Sequence, residues 1–461
     1  MKPMPIHSPS WSRSTTRRMP ALVALLACLV PPAPPCTAQE KPIPLSPAVI
    51  QGFVDQARTN NPAVRAARAR THAARFGVAA VRTWEDPMAR VGGYLTTDRG
   101  ANLSEEGDLT YGVEQKLPLF GKAHAAREVA RQELQAAELD IELQFQMVRR
   151  ELSKALYRAA LAEQVVEIGR NDLAQVNLWG ANAEQRYTAG TGSQVEVLRL
   201  KNESARRVQD LKTRENELTH EHLTINRLIN RPTGTPVPRF ALPPAAPPIP
   251  YGDPLIQQAL RAEPRLQVML QEVRAAEART ELARRQRLPD ITLGIDGRQY
   301  SRDPSPREGM FTVAMNLPWF NRGKYRSDVD REIERGESAR LESLDYELSV
   351  REDLHILSIR IDAARREALA YSEDIIPRSE QALQVASVSW MSNRGMFTDM
   401  MESRRMLLEA RLMEARAVAD QYEMISDLLL RCGLVDPESL TRGLPSDPGL
   451  THPTPHPQPP R

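Results

Sequence analysis

Apolar and polar residues alternate through 107–123 (GDLTYGVEQKLPLFGKA). Leu109, Tyr111, Val113 and Leu117 fall on one side, interrupted by Gln115, and Thr110, Gly112, Glu114 and Lys116 fall on the other. The pattern returns in 308–325 (EGMFTVAMNLPWFNRGKY), where Phe311, Val313, Met315, Leu317 and Trp319 oppose Thr312, Ala314, Asn316 and Pro318. Pro118 and Pro318 are 200 residues apart, as are Phe120 and Phe320. A period of two means an extended strand with one apolar face. Each stretch follows another strand candidate across a polar loop. The sequence therefore predicts strands at 87–97 and 108–120 around the loop 98–106, and at 289–300 and 309–320 around the loop 301–308.

Everything flanking these pairs has a helical period. Residues 122–187 contain no proline and two glycines, with Leu134, Ile141, Val148 and Ala155 every seventh residue, as a coiled-coil seam requires. A helix of that length would reach ~100 Å. Residues 187–192 (YTAGTG) read as a sharp turn, and 193–230 returns as helix with Leu211, Leu218 and Ile225 at heptad spacing. The second half repeats this plan: Glu263-Pro264 echoes Asn61-Pro62 as a helix start, and a helix from about Lys324 runs to Trp390 with Pro377 as a kink. A turn at Asn393-Arg394-Gly395 then leads into a helix ending at Cys432. The nine prolines of 231–254 make a stiff extended connector. The chain thus divides into a first repeat at 45–230, the connector at 231–254, a second repeat at 255–435, and a Pro-rich tail at 436–461. That tail reads as disordered and dispensable for assembly.

Charge and composition narrow the partners. Lys+Arg (61) and Asp+Glu (59) nearly cancel, so no overall field favours nucleic acid. Aromatics at 5% and hydrophobic residues at 41% suit long solvent-washed helices better than one compact core. Beyond the leader no apolar run approaches the ~20 residues of a membrane helix, so a membrane span would have to be made of strands. Four strands of ten to thirteen residues are long enough to cross, but known single-chain barrels need at least about eight, and an open edge in lipid is forbidden. Other chains would have to complete the sheet. Tyr94, Tyr111, Phe120, Tyr300, Phe311, Trp319 and Phe320 lie near strand ends, where an aromatic girdle belongs. The competing reading, core strands of a soluble sandwich, lacks a second sheet to pack against.

Residues 1–38 carry the marks of an export leader. Arg13, Arg17 and Arg18 precede the short apolar core 21–30, and Cys36-Thr37-Ala38 offers a cleavage site before Gln39. The rival is a lipobox, Leu25-Leu26-Ala27-Cys28, which would leave Cys28 as a lipidated N-terminus; Leu29 and Val30 fit better inside the apolar core, which favours simple cleavage. Either way the chain is exported, and Cys432 is left without a disulfide framework.

Catalytic chemistry is not indicated. The sequence has no Gly-rich phosphate loop, zinc-type Cys/His spacing or nucleophile elbow, and no cofactor is expected. His220 and His222, two apart on a helix, point to different faces and read as solvated. Asp399 and Glu402 are i,i+3 after the second turn, so both carboxylates project to one side, and in a three-fold assembly six acids would surround one axis. The plainer alternative is an acid favouring a helix N-terminus beside a surface pair. Met391, Met396, Met400, Met401, Met406 and Met413 crowd the same region; thioethers suit soft cations, with Met396, Met400 and Met401 the candidates, although adaptable packing is the commoner use.

The paired corners LPLFGK (117–122) and LPWFNRGKY (317–325), the Asn-Pro and Glu-Pro helix starts, and the tips Tyr187…Gly192…Glu196-Val197-Leu198 and Trp390…Gly395…Asp399-Met400-Met401 together resemble the outer-membrane factor (TolC) family. The resemblance covers about 45–435, and the LPLFGK corner is similar to its heavy-metal-efflux branch. It implies a mainly α protein with a small β part. The tandem helix–β-hairpin–helix repeats would form, as a homotrimer, a twelve-stranded outer-membrane barrel continued by a periplasmic α-helical barrel. It also implies a passive exit duct of a tripartite efflux pump, working with a periplasmic adaptor and an inner-membrane transporter of the RND or another type. Related readings are a type I secretion duct or, in another class, a periplasmic coiled-coil scaffold or adaptor. Trp390, Asp399 and Glu402, with Tyr187 and Glu196 in the first repeat, match the family's aperture residues. Gly395 stands where the family has an arginine, with Arg394 one residue early.

Overall fold

A computed structural model describes residues 41–81, 84–94, 108–300 and 303–441. The leader with Cys28, the whole loop 98–106 with the strand end expected at 95–97, and the tail from 442 lie outside the described residues. In chain order the elements are β1 (Ile43–Pro44), α1 (Pro47–Asn60), α2 (Pro62–Ala80), β2 (Met88–Tyr94), β3 (Asp108–Leu117), α3 (Lys122–Thr188), α4 (Gln194–Leu228), β4 (Phe240–Ala241), α5 (Asp253–Ala262), α6 (Pro264–Gln286), β5 (Ile291–Tyr300), β6 (Asp303–Met315), α7 (Arg322–Ala370), α8 (Ile376–Met391), α9 (Phe397–Cys432) and α10 (Pro437–Thr441).

The local rules place these boundaries. Pro62 and Pro264 each open a helix whose preceding residue, Asn61 or Glu263, caps it: Asn61 Oδ1 accepts from Ala63 N at 2.8 Å, and Glu263 Oε2 accepts from Leu266 N at 2.5 Å. Helix α3 runs unbroken for 67 residues. Its counterpart breaks where Pro377 lacks the N–H that would bond Glu373 O: the π-turn Tyr371–Ile375 absorbs the mismatch between α7 and α8.

The four long strands form one antiparallel sheet in the order β2-β3-β5-β6. Partners directly opposite one another share a face, so the register sorts the side chains. The row Ala89–Val113–Ile295–Phe311 and the row through Val91 and Tyr111 lie on one face. Their large side chains stand in the open, with Val91 76%, Ile295 68% and Phe311 66% exposed. On the other face lie Arg90, Thr110, Glu114, Lys116, Asp296 and Thr312, linked by ion pairs and hydrogen bonds: Arg90–Glu114 at 2.7 Å, Lys116–Glu85 at 2.7 Å, and Thr312 Oγ1 to Asp296 Oδ2 at 3.2 Å. A Cβ on Gly112 would collide with the Asp296 carboxylate, so that glycine lets Asp296 lie flat on the polar face.

Strand ends differ from the expected ones. Strand β3 stops at Leu117, not 120: Pro118 cannot donate to the ladder, and Phe120 and Gly121 turn the chain with φ of 60° and 71°. Residues 303–308, expected as loop, belong to β6, whose ladder with β5 continues through Arg298↔Glu308 and past a bulge to Tyr300↔Asp303. Backbone pairing does not need apolar side chains, and polarity hid this strand.

The core is concentrated at two levels. Beside the short parallel pair β1–β4, Leu152, Leu156, Ile225 and Phe240 bury one cluster, and Leu354, Ile361, Leu428 and Leu255 bury its counterpart from the second repeat. Tyr157 and Tyr422 stack between them with centroids 4.8 Å apart. A third cluster lies at the far helix ends. The expected tail boundary at 436 is corrected: α10 follows it, and Leu440 is buried in the second cluster. Arg149, itself buried, secures the approach by donating to Val435 O at 2.6 Å and to Leu434 O.

Truncation after Val435 therefore lowers stability by about 2–4 kcal/mol, the usual range for removing a buried leucine, whereas truncation after Thr441 leaves the thermal midpoint unchanged. Equal midpoints for the two truncated chains would show that α10 does not hold Leu440 in the core.

Candidate functional site

The far ends of the helices bring together most of the residues singled out by sequence. The two connections, α3 to α4 and α8 to α9, are one turn built twice. In the first, Thr191 N and Gly192 N both donate to Arg186 O at 2.9 Å; in the second, Arg394 N and Gly395 N donate to Ser389 O at 2.8 and 3.0 Å. Gly190 and Asn393 supply the left-handed residue, with φ of 72° and 60°. A Cβ at Gly192 would lie 2.9 Å from Tyr187 N, and one at Gly395 2.8 Å from Ser389 Cβ. A side chain at position 395 would therefore force the turn to shift.

The cation comes instead from the first repeat. Arg186, in the last turn of α3, lies 4.9 Å from the Trp390 ring centroid, donates to Trp390 O at 3.0 Å and bonds the side chain of Asn393. Trp390 Nε1 donates to Glu196 Oε2 at 3.3 Å. Sequence reading missed Arg186; its signal was a cation beside Tyr187 where the dipole of α3 ends. Trp390 is 1% exposed and packs edge-on against Phe397, in a cluster with Val176, Trp179 and Leu200. It ties the two tips together within one chain, while Tyr187 and Arg394 are exposed.

Asp399 and Glu402 both face solvent. The only partners recorded for them among the described residues are Thr398 Oγ1, 3.5 Å from Asp399 Oδ1, and Arg405, 3.5 Å from Glu402 Oε1. The three candidate methionines separate: Met400 is fully buried beside Trp390, Met401 is half-buried and Met396 is 69% exposed. The buried sulfur is core packing. His222 is half-buried rather than solvated, with Nε2 enclosed and unpartnered; burial pushes its imidazole down, partly opposed by the charge of Glu163. Among the described residues no three His, Cys, Asp or Glu side chains group as metal ligands. Burial pushes the Cys432 thiol up to about 12, which keeps it protonated.

Behind the tips lies a stronger tie that the sequence did not reveal. Arg404 of α9, 4% exposed, makes a two-pronged bond to Asp172 of α3, with both distances 2.8 Å, and reaches Glu203 of α4 at 3.1 Å. Arg207 joins the same two acids at 3.4 and 2.8 Å. One guanidinium thus holds three helices. Burial raises the Glu203 carboxyl, but hydrogen bonds from Arg207 and Arg404 and their charges outweigh it and hold it below the ordinary carboxylate range. Such a group stabilises the fold above its unfolded value and loses that contribution as pH falls through the lowered folded value.

Arg404→Ala leaves the half-buried Asp172 and Glu203 with Arg207 alone between them and costs about 3 kcal/mol of unfolding free energy, the low end for breaking a buried ion pair. Arg404→Met combined with Asp172→Asn and Glu203→Gln recovers most of it. A cost below about 1 kcal/mol for Arg404→Ala, as for an exposed pair, would show that the clamp is hydrated.

Comparison with known proteins follows the duplicated plan. The sequence profile of outer membrane efflux proteins matches residues 53–231 and 255–424, one block for each repeat. The cobalt-zinc-cadmium resistance protein CzcC of Cupriavidus metallidurans is 22% identical over 281 residues, 60% of this chain, and the match spans 65% of CzcC. Among solved structures, the outer-membrane channel OprN superposes with a TM-score of 0.72 at 20% identity, covering 84% of this chain and 90% of OprN. The outer membrane protein VceC of Vibrio cholerae gives a TM-score of 0.70 at 17% identity, covering 84% of this chain and 96% of VceC. These likenesses show a shared fold. With both repeats matched by one profile, the chain belongs to the outer membrane efflux protein family.

Proposed function

We propose that this chain is one third of the outer-membrane exit duct of a tripartite efflux pump. The observation that carries the reading is the four-stranded sheet: one face apolar and open, the other polar, and both edges, β2 and β6, unpaired among the described residues. Three copies placed edge to edge make a closed twelve-stranded cylinder with its apolar face toward lipid and its polar face toward water. No described helix is long and apolar enough to cross a membrane, so the strands carry the span. The helices prolong the cylinder into the periplasm.

Transport through such a duct is passive. An inner-membrane transporter supplies the energy, and an adaptor meets the helix tips. In the closed form each chain holds its tips together through Arg186, Trp390 and Glu196, while Asp399 and Glu402 of three copies place six carboxylates about the axis. Opening replaces these part-buried polar ties by contacts with the adaptor, and no covalent step is involved. The similarity to CzcC favours divalent metal cations as cargo, and acidic groups at a narrow mouth suit cations.

Membrane fractionation tests the reading. The protein should remain in the outer-membrane fraction and run as a heat-modifiable trimer. A soluble monomer in the absence of detergent would dismiss the duct.

For the mouth, Asp399→Ala with Glu402→Ala should raise single-channel conductance in planar bilayers and weaken block by divalent cations. Unchanged conductance and block would remove both acids from the aperture.

A further inference from the structure

A cavity of about 320 Å³ lies beside the core near β1, walled by α1, α3, α9 and the segment that enters α10. That volume is at the small end for small-molecule sites, about 300–1,000 Å³, and suits one compact ligand. Helix α3 turns one stripe toward it: Arg149, Ser153 and Tyr157, at i, i+4 and i+8, all buried. Ile50 and Val54 of α1 and Ile425 and Leu429 of α9 supply apolar walls. Val435 and Glu438 belong to the same lining and are exposed, so the cavity reaches solvent.

Arg149 is out of place in such a wall. Buried charges are normally paired, yet its three hydrogen bonds go to neutral oxygens: Gln146 Oε1 at 2.8 Å, Val435 O at 2.6 Å and Leu434 O. A guanidinium has five N–H donors, so two are left over. Burial pushes its pKa down, and the charges of Asp436 and Glu142 oppose this only in part. Asp436 lines the same cavity from the chain entering α10, and its carboxylate accepts from Ser439 Oγ at 3.0 Å rather than from Arg149. One cavity thus holds a cation and an anion on different walls, too far apart to form an ion pair. A simple anion would suit Arg149 but meet Asp436, and a simple cation would do the reverse. An uncharged apolar molecule would leave both groups without a partner in a dry space. A small molecule with both charges and an apolar body matches every wall.

We propose that this cavity binds a free α-amino acid with an apolar side chain. The carboxylate takes the unused donors of Arg149, with the Ser153 hydroxyl one turn away; the ammonium turns to Asp436; the side chain lies among Ile50, Val54, Ile425 and Leu429. The site is separate from the tips and the sheet and does not rest on the duct reading. Because the ligand bridges α3 and the chain entering α10, its binding also strengthens the attachment of α10.

The test uses the full-length protein purified in detergent at neutral pH, with radiolabelled L-leucine, N-acetyl-L-leucine and L-leucinamide in equilibrium dialysis against empty micelles. Leucine should bind saturably and at least about tenfold more tightly than either derivative, since each derivative lacks one of the two charge-assisted contacts. The derivatives probe both charges without mutation, which matters because replacing Arg149 would also release Leu434 and Val435. Asp436→Asn, which keeps an acceptor for Ser439, should bring leucine and N-acetylleucine to within about twofold of each other. Ser153→Leu fills the space, leaves the Arg149 bonds in place and should abolish leucine binding. No saturable leucine binding, or equal affinity for the three probes, overturns the proposal. Tighter binding of N-acetylleucine than of leucine makes the cavity an anion site and overturns it too. A chain that fails the membrane fractionation above would dismiss the duct and leave the outcome of this assay unaffected.

Discussion

Unpaired backbone at the two edges of the sheet is the constraint from which the architecture follows. Strands β2 and β6 each offer a row of N–H and C=O groups with no partner in the described chain. In water such edges invite aggregation, and in hydrocarbon each unmet group costs several kcal/mol. The exposed apolar face allows no retreat into water either, since Val91, Ile295 and Phe311 would each forfeit about 1.5–3 kcal/mol there. The proposed closure against further copies meets both demands. Helices α2, α3, α6 and α7 inherit the same order, because each leads into or out of one of the long strands.

Duplication accounts for the economy of the design, and the differences between the copies carry the asymmetry. Asn61 and Glu263 cap equivalent helices, yet the amide of Asn61 reaches Leu228 O while the carboxylate of Glu263 accepts from Tyr346 Oη at 2.8 Å and lies 3.4 Å from Arg431. At the tips the same pair of backbone hydrogen bonds closes both turns, while the side chains divide the work: a cation and an acid come from the first repeat, an indole from the second. The long helix shows the same division. Helix α3 is continuous, and its partner is interrupted at Pro377, so only one of the two hairpins contains a joint.

Legibility from sequence followed the range of the interactions. Period-two and period-seven patterns are local, and they located all four long strands and the long helices; α3 ended one residue from its expected end. What depended on another part of the chain was invisible. The strand at 303–308 exists because β5 lies beside it, and nothing apolar announces it. The burial of Leu440 depends on Leu255 and Ala246, far away in sequence. At the tips, sequence spacing identified Trp390 and Glu196 as related residues, but the hydrogen bond between them spans 194 positions. Arg186 and Arg404 were unremarkable among many arginines until folding set one over an indole and buried the other between two carboxylates.

The distribution of energy along the molecule then determines where it yields. Near β1 and β4, buried leucines, isoleucines and stacked tyrosines make a core whose disruption costs several kcal/mol per side chain. Toward the tips, apolar burial thins to one cluster, and polar ties take over. Those ties are of two kinds. Arg404 is buried, so separating it from Asp172 and Glu203 would strand charges in a dry site. The part-buried Trp390–Glu196 bond and the exposed Arg186–Asn393 bond lie beyond it, and each contributes about 0.5–1.5 kcal/mol. A force applied to the tips therefore meets the weak bonds first and is resisted by the clamp behind them. The π-turn at Tyr371–Ile375 lets α8 change direction without breaking α7. Movement confined to the few turns between Arg404 and the tips leaves the core near β1 and β4 and the sheet undisturbed, as the proposed opening of the duct at one end requires.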